Sequence, residues 1–109
     1  MKKPKVYLAG PMRGYKHYNF PAFDRYQAFL EKCGYSVFSP AQIDRDHGFD
    51  PVKHKVTPKM LRTMILRDVK AVCNSDYLAL MPGWTKSRGA KAEKAIADFL
   101  SLPIIKLKL

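Results

Sequence analysis

The feature that most narrows what this chain can fold into is a repeated change of hydrophobic period. Val6 to Ala9 is a short β-branched and aromatic run that stops at Gly10-Pro11, as a buried strand entering a loop does. From Pro21 to Cys33 the residues Phe23, Tyr26, Phe29 and Leu30 recur at helical spacing, and Gly34 follows as a C-terminal stop. Tyr35 to Phe38 returns to strand character and closes at Ser39-Pro40. Thr57-Pro58 has the form of an N-cap with proline at the first helical position. Leu61, Ile65, Val69 and Val72 then repeat at helical steps toward Asn74. Tyr77 to Met81 predicts a third strand. Ser87 or Arg88 to Leu100 predicts a third helix, with Ala92, Ala95, Ile96, Phe99 and Leu100 as its apolar stripe, and Ile104 to Leu107 a last strand. Ala41 to Val56 holds Asp, His, Gly and Pro without a period and reads as a functional or mobile loop.

Strands alternating with helices through short connections imply a parallel sheet covered on both faces, because crossovers are right-handed and leave few other topologies. The expectation is an α/β fold: a single three-layer open parallel sheet of four to five strands, flavodoxin-like or Rossmann-like. With 109 residues and 47% hydrophobic content, there is enough for one core and one domain spanning 1–109. In such sheets ligands bind beyond the carboxyl ends of the strands where strand order reverses, so the loops after Ala9, Phe38 and Met81 should line the site.

Composition removes several function classes. Twenty Lys and Arg against nine Asp and Glu give a net charge of +11, which favours an anionic partner. The basic residues are scattered, as at Lys2, Lys3, Lys53, Lys55, Lys91 and Lys108, with no long run or Arg-rich arm. A solvated basic surface accounts for them equally well, and no helix-turn-helix or aromatic RNA-binding signature supports a nucleic-acid role. Cys33 and Cys73 lie far apart without metal-ligand spacing, so they are expected as reduced, partly buried thiols. The first apolar run is too short for a signal-peptide core or a membrane span, which predicts a cytoplasmic protein with no membrane partner.

Two carboxylates fall where carboxylates are expensive. On a helical wheel of the second helix Asp68 lies inside the apolar arc with Met64, Leu61 and Val72. An ionised carboxylate facing a core costs several kcal/mol unless paired, so Asp68 has a partner, Arg62 or Arg67, or a task. Glu93 borders the third helix's stripe beside the small residues Gly89, Ala90 and Ala97, which leave room for a ligand to reach it. The alternative is a surface glutamate balancing Lys91 or Lys94. Two segments could seat a phosphate. One is the helix start at Ser87 and Gly89, with Arg88 near the free N–H groups, where capping by Ser87 is the competing explanation. The other is Gly10-Pro11-Met12-Arg13-Gly14 after the first strand, with Arg13 as clamp, although it has neither P-loop nor dinucleotide spacing. Asp44, Asp46, His47 and Asp50 cluster at irregular spacing and read as a hydrophilic turn rather than a metal site. Tyr15, Tyr18 and Phe20 lie near enough to Arg13 to wall a pocket, or serve the first helix's core face.

Taken in order, Tyr7-Leu-Ala-Gly-Pro-Met-Arg-Gly14, Asp68 eight residues before Asp76, and Ser87-Arg-Gly-Ala-Lys-Ala-Glu93 with Ala97 behind it carry a resemblance. Over nearly the whole chain the sequence resembles the nucleoside 2-deoxyribosyltransferase superfamily. It is most similar to the DUF4406-type branch, often found in phages, and to deoxynucleoside 5′-monophosphate N-glycosidases. The resemblance implies Glu93 as nucleophile at the anomeric carbon, Asp68 assisting departure of the base, and Tyr7 orienting the nucleophile. It implies a 5′-phosphate held by Ser87 and Gly89, with Gly10, Met12, Arg13 and Gly14 lining the same pocket, and no metal or cofactor.

The sequence departs from the pattern after the third strand. An aspartate that the transferases use to bind the base is replaced by Met81-Pro-Gly-Trp84, so Trp84 is expected to stack on the base instead. The phosphate-binding residues favour hydrolysis of a (deoxy)nucleoside 5′-monophosphate. Base exchange between nucleosides, and a non-catalytic module that senses or sequesters a nucleotide, are the alternatives. By analogy with relatives a homodimer or higher homo-oligomer is expected.

Overall fold

The computed structural model describes residues 2–108. Four strands, β1 (Lys5–Ala9), β2 (Ser36–Phe38), β3 (Tyr77–Leu80) and β4 (Ile104–Lys106), alternate with α1 (Phe20–Lys32), α2 (Pro40–Asp46), α3 (Pro58–Cys73) and α4 (Arg88–Phe99). All strand pairs are parallel and the order is β2-β1-β3-β4. The chain steps outward from β1 to β2, then crosses back over β1 to place β3 on the other side. Strand order therefore reverses between β1 and β3, and the crevice above their carboxyl ends is the place where this architecture binds ligands.

The period of two sorts the strand side chains into two layers. Val6, Leu8, Ala79 and Met81 face one way, against Phe20, Phe23 and Leu30 of α1, Ala41 of α2 and Phe49. Tyr7, Ala9, Leu78 and Leu80 face the other way, against Ala71 and Val72 of α3 and Ala90 and Ala97 of α4. The result is the expected three-layer α/β sheet with four strands. No helix of the described residues is long and apolar enough to cross a membrane.

Three local expectations are corrected. The stretch read as an aperiodic loop contains α2, which starts at Pro40 behind the extended Ser39 and turns Ala41 and Asp44 inward. Seven residues cover barely two turns, and of the three buried positions, Pro40, Ala41 and Asp44, one is a carboxylate, so no apolar period was there to read. On α4 the buried side is Ala90 and Ala97, whereas Ala92 and Ala95 are exposed and Phe99 is 88% exposed. Ile96 of the predicted stripe does pack on this layer, but the face that meets the sheet is turned toward Ala90 and Ala97, so Ala92, Ala95 and Phe99 face outward. Cys33 and Cys73 are free and exposed rather than partly buried, because each sits at the end of its helix, past the last inward-facing turn.

Candidate active site

The site begins with a tyrosine in a central strand. Tyr7 is wholly buried in β1 on the α3–α4 side, and a buried hydroxyl needs a partner. It donates to Glu93 Oε2 at 2.7 Å. The start of α4 sets that meeting. Ser87 Oγ accepts from the Ala90 N–H at 3.1 Å, and this cap puts Ala90, Glu93 and Ala97 on one face toward the sheet. The two alanines let the helix come close enough for a glutamate to reach the strand. Burial pushes the Glu93 carboxyl up to about 7, against the lowering effect of the Tyr7 hydrogen bond. Tyr7 itself is held well above the ordinary phenol range, first by burial and then by the negative charges of Glu93 and Asp68.

Asp68 enters from α3, one turn after the buried Met64 and one before Ala71 and Val72. Its Oδ1 is buried without a hydrogen-bond partner. The ion pairs among the described residues are Arg45–Asp24 and Lys94–Asp98, so neither Arg62 nor Arg67 bridges to Asp68. Burial, then the charges of Glu93 and Asp44, raise the Asp68 carboxyl to about 8, with Arg67 opposing. Lys94 is engaged with Asp98 rather than with Glu93.

A third carboxylate, expected in a hydrophilic turn, is buried instead. Asp44 on α2 is only 4% exposed, and its Oδ1 also lacks a partner. Burial raises it to about 6 while the charges of Arg67 and His47 pull it down. Asp44 and Asp68 border one cleft, with Met12 and Arg13 from the β1 loop and the rings of Tyr18, Phe20 and Phe49. The available signal was Ser39-Pro40 as a helix start, which puts position 44 on the same face as Ala41. The other members of the 44–50 cluster do not converge with it. Asp46 accepts from Gln42, His47 bonds the Ile43 carbonyl, and Asp50 accepts from the Val52 and Lys53 N–H groups. Among the described residues no group of three or more His, Cys, Asp or Glu is arranged to hold a metal ion.

The glycines divide by cause. At Gly10 a Cβ would lie 2.6 Å from Met81 Sδ, so close packing of the β1 and β3 loops requires glycine there. Gly14 has φ +82° and makes the turn after Arg13. Gly89 has neither reason: a Cβ would meet nothing within 4 Å. It leaves open space at the first turn of α4, where the N–H groups of Arg88 and Gly89 have no intrahelical acceptor. The Ser87 hydroxyl is already used as the cap, so capping explains it in full.

The segment before α1 brings Tyr18 to the cleft. His17, Tyr18 and Asn19 all have left-handed backbone, with φ of 52°, 52° and 62°. Such a run of non-glycine residues is unfavourable by roughly 1–2 kcal/mol each. It is held by Asn19 Nδ2 donating to the Pro11 carbonyl at 2.8 Å and by the Val56 N–H donating to the Tyr18 hydroxyl at 3.1 Å. Trp84 lies elsewhere, in a short helical turn after β3, packed with the Tyr7 layer and with Lys94 Nζ 5.7 Å above its ring. Tyr7 and Glu93 are thus bonded and Asp68 is within electrostatic reach of both; of the expected site residues Met12, Arg13 and Asp68 line the cleft, whereas Tyr7, Glu93, Ser87, Gly89 and Trp84 do not.

Chemically, burial raises both the Glu93 and Asp68 carboxyls toward neutrality or above, and two such carboxyls within electrostatic reach can divide the roles of nucleophile or base and general acid.

The sequence matches, over residues 4–106, the family described as "Domain of unknown function (DUF4406)". A sequence comparison with curated proteins finds no match. Among solved structures, a 2-deoxyribosyltransferase from Bacillus psychrosaccharolyticus superposes with a TM-score of 0.66 at 18% identity, covering 94% of this chain and 70% of that one. A conserved protein from Enterococcus faecalis V583 gives 0.61 at 22% identity, covering 96% and 63%. At these identities the likeness is one of fold. The chain belongs to the DUF4406 family, built on a fold that it shares with a 2-deoxyribosyltransferase.

Proposed function

We propose that this protein cleaves the N-glycosidic bond of a (deoxy)nucleoside 5′-monophosphate, releasing free base and sugar phosphate. The observation that carries this reading is the 2.7 Å hydrogen bond from Tyr7 to Glu93, made under the strand-order reversal with the unpartnered Asp68 beside it. The Glu93 carboxylate attacks C1′ as the C1′–N bond breaks, and the electron pair goes to the base nitrogen, which takes a proton from Asp68. Water then attacks C1′ of the glycosyl ester, giving its proton to Asp68 and returning Glu93 as carboxylate. Tyr7 holds the attacking carboxylate in place through its hydroxyl. The 5′-phosphate is held by the free N–H groups at Gly89 and by Arg13, with Gly10, Met12 and Gly14 shaping the loop around it. The mechanism draws on no metal or cofactor.

Base transfer in place of hydrolysis is a second reading, favoured by the fold shared with a 2-deoxyribosyltransferase. Incubation with nucleosides and their 5′-monophosphates, followed by chromatography for free base, tests the first reading. Base release from the monophosphates that is abolished in Glu93→Gln is expected. New nucleoside formed when a second base is added identifies transfer, and tight binding without release identifies a sensing module. A cytoplasmic homo-oligomer completes the proposal. Leu66 on α3 and Phe99 on α4, 72% and 88% exposed, supply apolar surface for a second copy.

A further inference from the structure

Asp44 is buried at the wall of a cleft with no protein group to satisfy Oδ1. Buried polar atoms in folded proteins almost always have partners, and an orphan beside a cavity is most simply explained by a ligand that supplies the missing bond. The other walls limit what that ligand is. Tyr18, Phe20 and Phe49 present aromatic rings, with Tyr18 and Phe49 edge to face at 5.6 Å and Phe20 and Phe49 tilted at 6.1 Å. A flat, mostly apolar group with polar atoms on one edge suits such walls. The room is about 70 Å³, so only part of a nucleotide can enter. If Asp68 and Glu93 bracket the sugar, as the proposed function has it, the part that enters is the base. Trp84, the residue expected to stack on the base, is not on this cleft.

We propose that Asp44 is the specificity-determining residue of this cleft and selects bases that carry an exocyclic amine over those with a keto oxygen in its place. This inference rests on the proposed function and extends it to the substrate's base. The chemistry follows from the donor inventory. A carboxylate oxygen only accepts, and an amine N–H fills it. A keto oxygen at the same position meets Oδ1 lone pair to lone pair and leaves both groups unsatisfied. The groups facing Asp44 preserve that polarity. Arg67 and His47 contribute positive charge toward it, and neither its Oδ1 nor that of Asp68, which borders the same cleft, has a hydrogen-bond partner.

The test compares cytosine and uracil nucleoside 5′-monophosphates of the same sugar, which differ by amine or keto at one ring position. Dissociation constants from calorimetry and kcat/KM for base release are measured for the wild type and Asp44→Asn, with thermal unfolding to verify the fold. The expected wild-type preference for cytosine is about 10-fold or more, falling to roughly 3-fold or less in Asp44→Asn, whose amide offers either an acceptor or a donor. Equal handling of the two bases by the wild type, which needs no variant, overturns the inference, as does a preference that persists in folded Asp44→Asn. Base release without discrimination would leave the proposed function standing and remove this one. Discrimination in binding without release would do the reverse, and no binding of either nucleotide would overturn this inference, leaving the proposed function to its own test with the full set of monophosphates.

Discussion

The two faces of the sheet are covered by different kinds of helix. On the α1 side the buried contacts are large, with Phe20, Phe23 and Leu30 filling the space above Val6 and Leu8. On the α4 side only Ala90 and Ala97 are buried, and between them Glu93 reaches the hydroxyl of Tyr7. At Phe23 and Leu30 the first arrangement only removes apolar area from water, and Phe20 adds a wall of the cleft. The second gives up apolar contact for a buried carboxyl–phenol pair and, from α3, a second carboxyl without a partner. A core that only had to be stable would fill these positions with aliphatic residues. The contrast separates what holds the molecule together from what it is for.

Glu93→Gln tests the polar face most severely. Base release is expected to fall on the order of 10³-fold or more, within the range for loss of a positioned catalytic group, with the fold intact by circular dichroism. Retained activity would end the assignment. Phe23→Ala tests the apolar face, and about 3–5 kcal/mol of stability should be lost in denaturant unfolding while activity per folded molecule is unchanged.

Asp68→Asn should act in opposite directions on the two properties. Its carboxyl is raised from 3.8 to about 8 on folding, so the folded state binds the extra proton between those values and stability falls as pH rises through them. The variant should therefore be more stable than the wild type at pH 9, by about 1–3 kcal/mol in denaturant unfolding, with the difference shrinking toward pH 4. Its base release should drop. In the wild type, activity should decline below about 7 as Glu93 takes up a proton and above about 8 as Asp68 loses one. A flat pH–rate profile would count against both roles.

The smallest effect is the sharpest. Gly89→Ala meets no steric obstacle in a helix and should stabilise by about 0.5–1 kcal/mol. A methyl in the space left at the start of α4 should nonetheless raise KM for a 5′-monophosphate more than for the matching nucleoside. Equal KM changes for the two would show that no phosphate sits there.

Alternation of period fixed the strand–helix order from the sequence alone, because a run of β-branched residues and a helical repeat bury different patterns of side chain. It also singled out Asp68, since a carboxylate among Met64 and Val72 is costly wherever the helix packs. The same reasoning rotated the stripe of α4 wrongly and passed over α2. Four alanines on α4 give apolar positions on both sides, so hydrophobicity alone does not say whether 90 and 97 or 92 and 95 face the sheet, and the two turns of α2 are too few to show a period. Which carboxyls meet was decided by strand order: the return of β3 beside β1 lets α4 bring Glu93 to Tyr7, while α2 and α3 bring Asp44 and Asp68 to one cleft. Periodicity is local and reports which face of an element is buried. Only the tertiary structure reports what that face meets, because contacts between distant segments depend on the order in which the sheet was assembled.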